Sequence, residues 1–229
     1  DQVTDTPTNN KCTWSPISHG PTTNTPELAN GNLDIIGTGS PDDGLTATVG
    51  ITGSGKYYWE YEMTAGSGGT PAALIGMVQQ PYTWNGNVGL LSGGFRGYYT
   101  TGVKYTGGTS SSYGDSWAVG DRMGVAVDLD NEAIYFAKNN TWQNSGDPTS
   151  GASKTGAAFT DISSTGNLWT PFMHTGGNRS STVIFNSDTF EYTPPTGFKG
   201  IETSNFAAPA VLNGKKYFDT ILYEGDGTG

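Results

Sequence analysis

The sequence predicts an all-β fold, an antiparallel sandwich of two sheets, on three observations. Glycine contributes 35 of the 229 residues, aromatic residues make up 12% and charged residues only 14%, a composition that suits short strands joined by tight turns. Apolar and polar residues alternate with period two, whereas helical periodicity is almost absent. Turn residues recur at intervals of about 8–12 residues, as in antiparallel sandwiches.

The strand predictions follow the period-two pattern along the chain. The segment KYYWEYEM places one set of side chains on its inner face, namely Tyr57, Trp59, Tyr61 and Met63, and another on the opposite face, namely Tyr58, Glu60 and Glu62. Residues 73–78 (ALIGMV) predict a short strand buried on both sides. The next two strands aim apolar side chains inward, these being Met123, Val125, Val127, Leu129, Ile134 and Phe136. A late strand follows near residue 184, and Trp169 is assigned to the core.

Charge and cysteine content exclude several kinds of partner and site. The net charge is -10 with only 11 lysines and arginines, so the field of the protein repels phosphate backbones and anionic lipid. We therefore expect no nucleic-acid partner. No run of 18 apolar residues is present, so no membrane insertion is expected. The single cysteine, Cys12, excludes an internal disulfide and a cysteine-rich zinc site.

Proline-rich stretches near both ends divide the chain into three parts. We expect the front and back stretches to be leader and exit segments that lie along the sandwich or link it to its neighbours. Three stretches inside the sandwich are too long for simple turns, at 78–97, 100–117 and 142–159. Loops of this length usually carry function.

The acidic stretch VAVDLDNEAI has two functional interpretations besides a structural one. An EF-hand loop starting at Asp128 needs Asp or Asn at its fifth position, Gly at its sixth and Glu at its twelfth. The sequence offers Glu132, Ala133 and Asn139 instead. The sharp turn and the bidentate ligand are both missing, so we expect no metal site.

Catalysis by the same carboxylates is the second functional interpretation. On a strand, Asp128 and Asp130 would lie about 6.5–7 Å apart, a spacing that suits an inverting glycosidase. Such an enzyme also needs one carboxyl with a raised pKa, and residues beside a turn on a polar face have little reason to be desolvated. We therefore predict a hairpin with its turn at Asp130, Asn131 and Glu132, where Asp and Asn are favoured.

Other catalytic and cofactor motifs are absent from the sequence. The two histidines, His19 and His174, lie in no metal spacing or nucleophile motif and are interpreted as surface or core polar residues. No nucleophile elbow, Walker loop or dinucleotide fingerprint occurs. The serines of the segment GGTSSSYGDS have no base nearby in sequence. We expect no enzyme activity, no catalytic residues and no cofactor.

The strands taken together resemble those of a SPRY domain. The matching segments are SGKYYWEYEM, IGMV, GDRMGVAVDLDNEAIYFAKNNTW, LWTPFM and TVIFN, in the family's order between about residues 30 and 198. The resemblance implies a bent, concanavalin-like sandwich in which Asp128 and Asp130 belong to a structural D-x-D hairpin. It places the sandwich at residues 30–198, after a leader or linker at 1–29 and before an exit segment at 199–229 that begins a linker to a following module. Asn140 replaces the usual glycine of the next turn, and Asn also tolerates a positive φ there.

The flanking segments resemble those that bracket SPRY domains in structural proteins of tailed bacteriophages. The resemblance implies a module of a virion appendage, such as a tail or head fibre, in an extracellular phage particle. Its partners would be neighbouring virion chains and a glycan or protein on the host surface. A homo-oligomer is compatible with this setting, although no coiled-coil heptad is present.

The family's members are binding modules that use loops at one end of the sandwich. The resemblance and the aromatic loops together predict seven ligand-binding residues, Tyr82, Trp84, Tyr98, Tyr99, Tyr105, Tyr113 and Trp117. Tyrosine and tryptophan give large contact area at low entropic cost, although about half of such rings would be core residues in an aromatic-rich sandwich. Two alternatives stay open: a purely architectural virion module, and a polysaccharide-degrading domain that uses Asp128 and Asp130.

Overall fold

The structure of the protein is a computed structural model that describes residues 9–18, 26–37, 43–66, 73–82, 94–163, 165–175 and 179–207. These ranges contain thirteen strands, numbered in chain order. The first six are β1 (Glu27–Ala29), β2 (Asp34–Ile36), β3 (Asp43–Thr46), β4 (Lys56–Gly66), β5 (Ala73–Gln80) and β6 (Phe95–Tyr99). The others are β7 (Val103–Thr106), β8 (Thr109–Ser112), β9 (Arg122–Asp128), β10 (Ala133–Lys138), β11 (Thr141–Trp142), β12 (Leu168–Thr175) and β13 (Arg179–Ile184).

The described strands form two antiparallel sheets. One has seven strands in the order β1-β2-β13-β4-β9-β10-β11, and the other has six in the order β3-β12-β5-β6-β7-β8. Long antiparallel registers join β4 to β9 and β5 to β12 at the centres of the two sheets. The predicted all-β, two-sheet sandwich is confirmed.

The main core lies between the two sheets and contains the side chains that the period-two pattern selected. The inward-facing residues predicted for β4 all belong to it, namely Tyr57, Trp59, Tyr61 and Met63. Residues 73–78 of β5 are buried throughout, as predicted. Each large apolar side chain removed from water contributes about 1.5–3 kcal/mol, so this layer supplies most of the driving force for folding.

The outer face of the seven-stranded sheet is covered by residues 190–198, which we call the strap. Phe190 meets the ring of Tyr58 edge to face, with ring centroids 5.0 Å apart. Phe198, at the other end of the strap, belongs to the same buried cluster as Tyr58. Both faces of β4 are therefore shielded from water at its centre.

A buried carboxylate holds the strap in place. Glu60, on the outer face of β4, accepts hydrogen bonds from the backbone N–H groups of Glu191 (3.0 Å) and Tyr192 (2.9 Å). It also accepts one from the Tyr58 hydroxyl at 3.0 Å and pairs with the Arg122 guanidinium at 3.4 Å. Burying a charge is tolerated only where such partners replace its hydration, so one glutamate in a strand fixes a segment about 130 residues away.

The turn between β10 and β11 uses two asparagines in the left-handed region. Asn139 has a φ of 46° and Asn140 a φ of 64°, the backbone of a type I′ turn. The prediction that Asn140 can replace the family's glycine is confirmed. The Asn139 side chain accepts a hydrogen bond from the Arg122 N–H at 2.9 Å and donates one to Asp121 at 2.7 Å.

Residues on both flanks of the predicted sandwich pack against it. Trp14, within the predicted leader, is fully buried and its ring is 5.6 Å from that of Phe185. Lys11 forms an isolated bridge with Glu202 and an ion pair with the same side chain. The boundaries at residues 29 and 198 stay a prediction, although the described flank residues add to the core.

His174 gives the fold a dependence on pH. It lies on the outer face of β12 between Leu74 and Gly44, with 1% of its surface exposed. Burial lowers its pKa from 6.5 to about 4, because an imidazolium loses its hydration there. The unfolded chain therefore binds a proton at a higher pH than the folded chain does. The contribution of His174 to the free energy of unfolding has its full value above pH 6.5 and decreases by about 3 kcal/mol as the pH falls towards 4.

Denaturant unfolding of the wild type and of His174→Gln, at pH 7 and at about pH 4.5, measures this contribution. The wild type should lose more free energy of unfolding between the two pH values than the variant does. Equal losses in the two proteins would show that His174 does not titrate between its folded and unfolded forms in this range.

Candidate functional site

Side chains of the six-stranded sheet alternate between the core and the sheet's outer face. Along β5 and β6 the inward set is Ile75, Met77 and Tyr98. The outward set, with one residue from β12, is Leu74, Val78, Phe95 and Phe172. These four outward side chains are fully buried, so they form an apolar floor on the side of the sheet that faces away from the main core.

Three of the predicted ligand-binding residues lie on that floor. Tyr82, Tyr99 and Tyr105 are partly buried and pack against the same cluster; together we call them the tyrosine face. The rings of Tyr99 and Tyr105 meet edge to face at 5.6 Å. Burial raises the pKa of Tyr82 to about 12, so its hydroxyl stays protonated at neutral pH. A tyrosine ring has an apolar surface and a polar hydroxyl end, the amphipathic character typical of contact residues.

Two glycines keep the floor of the tyrosine face continuous. Gly97 lies opposite Tyr105 in the β6–β7 register, and a Cβ there would approach the Leu74 side chain to 2.7 Å. Gly76, opposite Gly97, has a φ of 155°, and a Cβ would lie 2.0 Å from the Arg96 carbonyl oxygen. Side chains at these positions would displace Leu74 and separate β5 from β6.

Three others of the predicted residues are core side chains, which corrects the expectation that they present rings to a ligand. Tyr98, Tyr113 and Trp117 are buried in the cluster between the sheets. Tyr98 stacks on Phe136 at 5.3 Å, and Tyr113 packs edge to face on Tyr98 at 5.4 Å. The alternation along β6 explains the difference, since Tyr98 and Tyr99 are neighbours and must point to opposite faces. Trp84 lies outside the described residues.

The carboxylates of the β9–β10 turn hold the backbone in place. Asp128 accepts hydrogen bonds from the Asn131 backbone N–H (3.1 Å) and side-chain amide (2.8 Å), and pairs with Lys56 at 2.8 Å. Asp130 is exposed and accepts a hydrogen bond from the Gly55 N–H at 2.8 Å. The predicted turn is confirmed, but Asp128 is only 1% exposed, so the expectation of a solvated side chain is wrong for it. The Lys56 ammonium compensates the negative charge of the buried Asp128 carboxylate.

A shallow depression of about 540 Å³ lies at this end of the sandwich. Its lining comes from four loops and comprises Gly53, Ser54, Leu129, Asp130, Asn131, Glu132, Ala152, Lys154 and Thr165. Within the described ranges, no three histidine, cysteine or acidic side chains are arranged to hold a metal ion. The depression is polar and shares no residue with the tyrosine face.

The described lysines and arginines are largely engaged within the molecule. Ion pairs occupy Lys11, Lys56, Arg96, Arg122 and Lys138. The ammonium groups of Lys104, Lys154 and Lys199 donate to backbone carbonyls. The surface therefore keeps the acidic character of the sequence, which disfavours phosphate-rich partners. The helices in the described part are too short to cross a membrane.

The structure has a hairpin, β7 and β8, within residues 100–117, which the sequence predicts as one long loop. The turn residues Gly107 and Gly108 have φ values of 53° and 76°, and a Gly-Gly pair between short strands is a signal for a two-residue hairpin. All four residues of β8 are exposed, and among the described strands β8 is the last of its sheet. The site therefore includes an open strand edge beside Tyr105.

Comparisons with known proteins agree on one family. The family model described as the SPRY domain matches residues 56–188, more than half of the chain. The crystal structure of the SPRY domain of human HERC1 superposes with a TM-score of 0.59 at 17% identity, covering 75% of this chain and 96% of that one.

A curated relative shares a shorter segment of sequence. The ATP-dependent RNA helicase Ddx1 of Drosophila melanogaster is 32% identical over 96 residues, which is 42% of this chain and 12% of the helicase. The chain therefore spans only a small part of that relative's length. The family match shows the family and the superposition agrees with its fold: this chain belongs to the SPRY domain family, whose members are generally non-catalytic interaction modules.

Proposed function

We propose that this chain is a protein-binding module that contacts its partner through the tyrosine face. The observation that carries the proposal is the convergence of Tyr82, Tyr99 and Tyr105 on one buried apolar floor. Partly exposed tyrosines beside a rigid floor give a large contact area and lose little side-chain entropy on binding. Residues of this type in desolvated surroundings dominate the energy of most interfaces.

The module's proposed setting is an appendage of an extracellular phage virion, a tail or head fibre. Support comes from the flanking segments, which resemble those of phage structural proteins, and from the acidic surface, which disfavours nucleic acid as a partner. The partner is then a protein on the host surface. A host-surface glycan is the alternative, because tyrosine rings also stack on sugars and the hydroxyls can orient them.

An architectural role is the second candidate. A neighbouring virion chain, or another copy in a homo-oligomer, would then cover the tyrosine face in the assembled particle. Accessibility distinguishes the two roles, because chemical labelling of Tyr99 and Tyr105 in intact particles should succeed if the face binds a host protein. A polysaccharide-degrading role has little support, since Asp128 and Asp130 are engaged in backbone and ion-pair contacts.

Replacing Tyr99 and Tyr105 together by alanine should weaken binding by at least about tenfold. The variant loses the two rings that contact each other on the outer face. The free energy of unfolding should also fall, by about 0.5–1.5 kcal/mol for the lost ring pair and by a further amount for the apolar area that the two rings bury on the floor, so binding is compared per folded molecule. Arrays of immobilised bacterial surface proteins and polysaccharides, probed with both proteins, report the change.

Tyr192→Ala is the matched control for this experiment. Tyr192 is also partly buried but belongs to the strap over the seven-stranded sheet, on the opposite side of the sandwich. The Tyr192→Ala variant should bind like the wild type. Binding to immobilised surface proteins that survives the loss of Tyr99 and Tyr105 would contradict the proposed site. Binding to polysaccharides alone would favour the glycan alternative.

A further inference from the structure

The β7–β8 hairpin leaves one strand edge of the six-stranded sheet open. In the described part of the chain β8 pairs with β7 along one side and has no strand on the other. Its residues are Thr109, Ser110, Ser111 and Ser112, all exposed. Proteins protect such edges by keeping them short or by adding lysine, proline or a bulge; β8 is short, at four residues, but carries none of the other three. The edge is therefore able to accept another strand.

The register of the hairpin fixes which backbone groups point outward. In a two-residue hairpin the pair next to the turn is hydrogen-bonded, and bonded and non-bonded pairs then alternate. Here that pair is Thr106 with Thr109, and the N–H of Tyr113 donating to the Gly102 carbonyl (3.1 Å) continues the same alternation. The backbone N–H and C=O of Ser110 therefore point away from β7.

The same alternation applies to Ser112, which lies opposite Val103. Each of these two serines offers one donor and one acceptor along the open edge, in the spacing of an antiparallel ladder. Ser111, between them, turns its backbone groups towards β7. An added strand would thus bond to Ser110 and Ser112 and leave the bonds of the hairpin intact.

The open edge is continuous with the tyrosine face. Ser110 lies directly opposite Tyr105, and cross-strand partners share a face of the sheet. A strand added to β8 would lie about 4.8 Å beyond it. Long side chains on its outer face would then reach over Ser110 to the ring of Tyr105, so backbone and side-chain contacts would combine on one surface.

Charge determines the kind of strand that fits. The net charge is -10, and the exposed Asp115 follows β8 by three residues. A second copy of the chain would bring the same negative charge to the edge, whereas a segment rich in lysine or arginine would be attracted. The occupant favoured by this surface is an extended, basic segment of another protein.

We propose that the open edge of β8 binds such a segment by β-strand addition, with Ser110 and Ser112 supplying the backbone hydrogen bonds and Tyr105 contacting its side chains. This inference rests on the proposed protein-binding function, because it names the class of partner that uses the same surface. Main-chain bonds would give affinity, and the tyrosine face would select side chains at alternate positions.

The probe is a peptide of about ten residues. It is selected from a displayed random library for binding to the full chain. Ser110→Pro removes the outward N–H and leaves the bonds to β7 in place, so selected peptides should bind it at least about tenfold more weakly. Ser111→Ala, whose backbone faces β7, should bind within about twofold of the wild type. Unchanged binding by Ser110→Pro overturns the inference, as does a library that yields no binder.

Two further measurements keep the test decisive if Ser110→Pro folds poorly. Ser112→Pro blocks the second outward position. Amide exchange in the wild type should show new protection of the Ser110 and Ser112 N–H groups when the peptide binds, with Ser111 unchanged. Slower amide exchange at other residues, with no change at Ser110 and Ser112, overturns the inference.

Comparison with Tyr105→Ala separates this inference from the proposed function. Peptides that lose affinity for Tyr105→Ala but not for Ser110→Pro leave the tyrosine face as the site and overturn strand addition. Peptides whose affinity neither Tyr105→Ala nor Ser110→Pro changes count against both the tyrosine face and strand addition. Sedimentation that shows a wild-type dimer and a monomeric Ser110→Pro would identify a second copy as the occupant and overturn the basic partner.

Discussion

Replacing Glu60 by alanine is expected to lower the free energy of unfolding by about 3–5 kcal/mol. The change leaves the Arg122 guanidinium and the Tyr58 hydroxyl without their buried acceptor. It also removes the acceptor of the backbone N–H groups of Glu191 and Tyr192. Unfolding in denaturant measures the loss, and amide exchange should show that the strap opens before the sheets do.

Glu62→Ala is the matched control, because Glu62 lies on the same face of β4 and pairs with the same arginine. Its side chain is 33% exposed, and the only hydrogen bond its carboxylate accepts in the described part of the chain is from Arg122. We expect a cost of about 0–1 kcal/mol. Similar losses for the two variants would contradict the structural role given to Glu60.

Replacing Trp117 by alanine is expected to cost about 3–5 kcal/mol of stability. The side chain is 2% exposed and belongs to the core between the sheets. Truncation removes its apolar contacts and leaves a cavity that the surrounding sheets cannot fill. Thermal and denaturant unfolding should both shift, and binding per folded molecule should stay unchanged because Trp117 is not on the tyrosine face.

Val119→Ala provides the control for Trp117, from the same connection between β8 and β9. Val119 is 48% exposed, so its truncation should change the free energy of unfolding by no more than about 0.5 kcal/mol. A stable Trp117→Ala protein with lost binding would instead support the original expectation that this ring contacts the ligand.

The sequence allowed the sheets to be predicted, because alternation with period two is a direct consequence of strand geometry. This pattern alone predicts Tyr57, Trp59 and Tyr61 on the inner face, where the structure has them. The pattern gives no information on what covers the other face. The pattern places Glu60 on the face opposite the core, and only the strap, distant in sequence, explains why this side chain is buried.

The candidate site was predicted only in part, for a related reason. Composition identified aromatic segments but could not separate Tyr98, in the core, from Tyr99, on the outer face, because their orientation depends on the register of β6. The β7–β8 hairpin escaped detection because Ser110, Ser111 and Ser112 form a strand without apolar alternation. The Gly107-Gly108 pair was the signal that could have revealed it.

Side-chain footprinting by hydroxyl radicals, on the full chain with and without a selected peptide, tests the location of the binding surface most directly. We expect the peptide to protect Tyr99 and Tyr105 and to leave the turn at Asp130 and Glu132 as reactive as before. Protection of that turn and of the depression around it, with both tyrosines unchanged, would contradict the assignment of binding to the outer face of the six-stranded sheet.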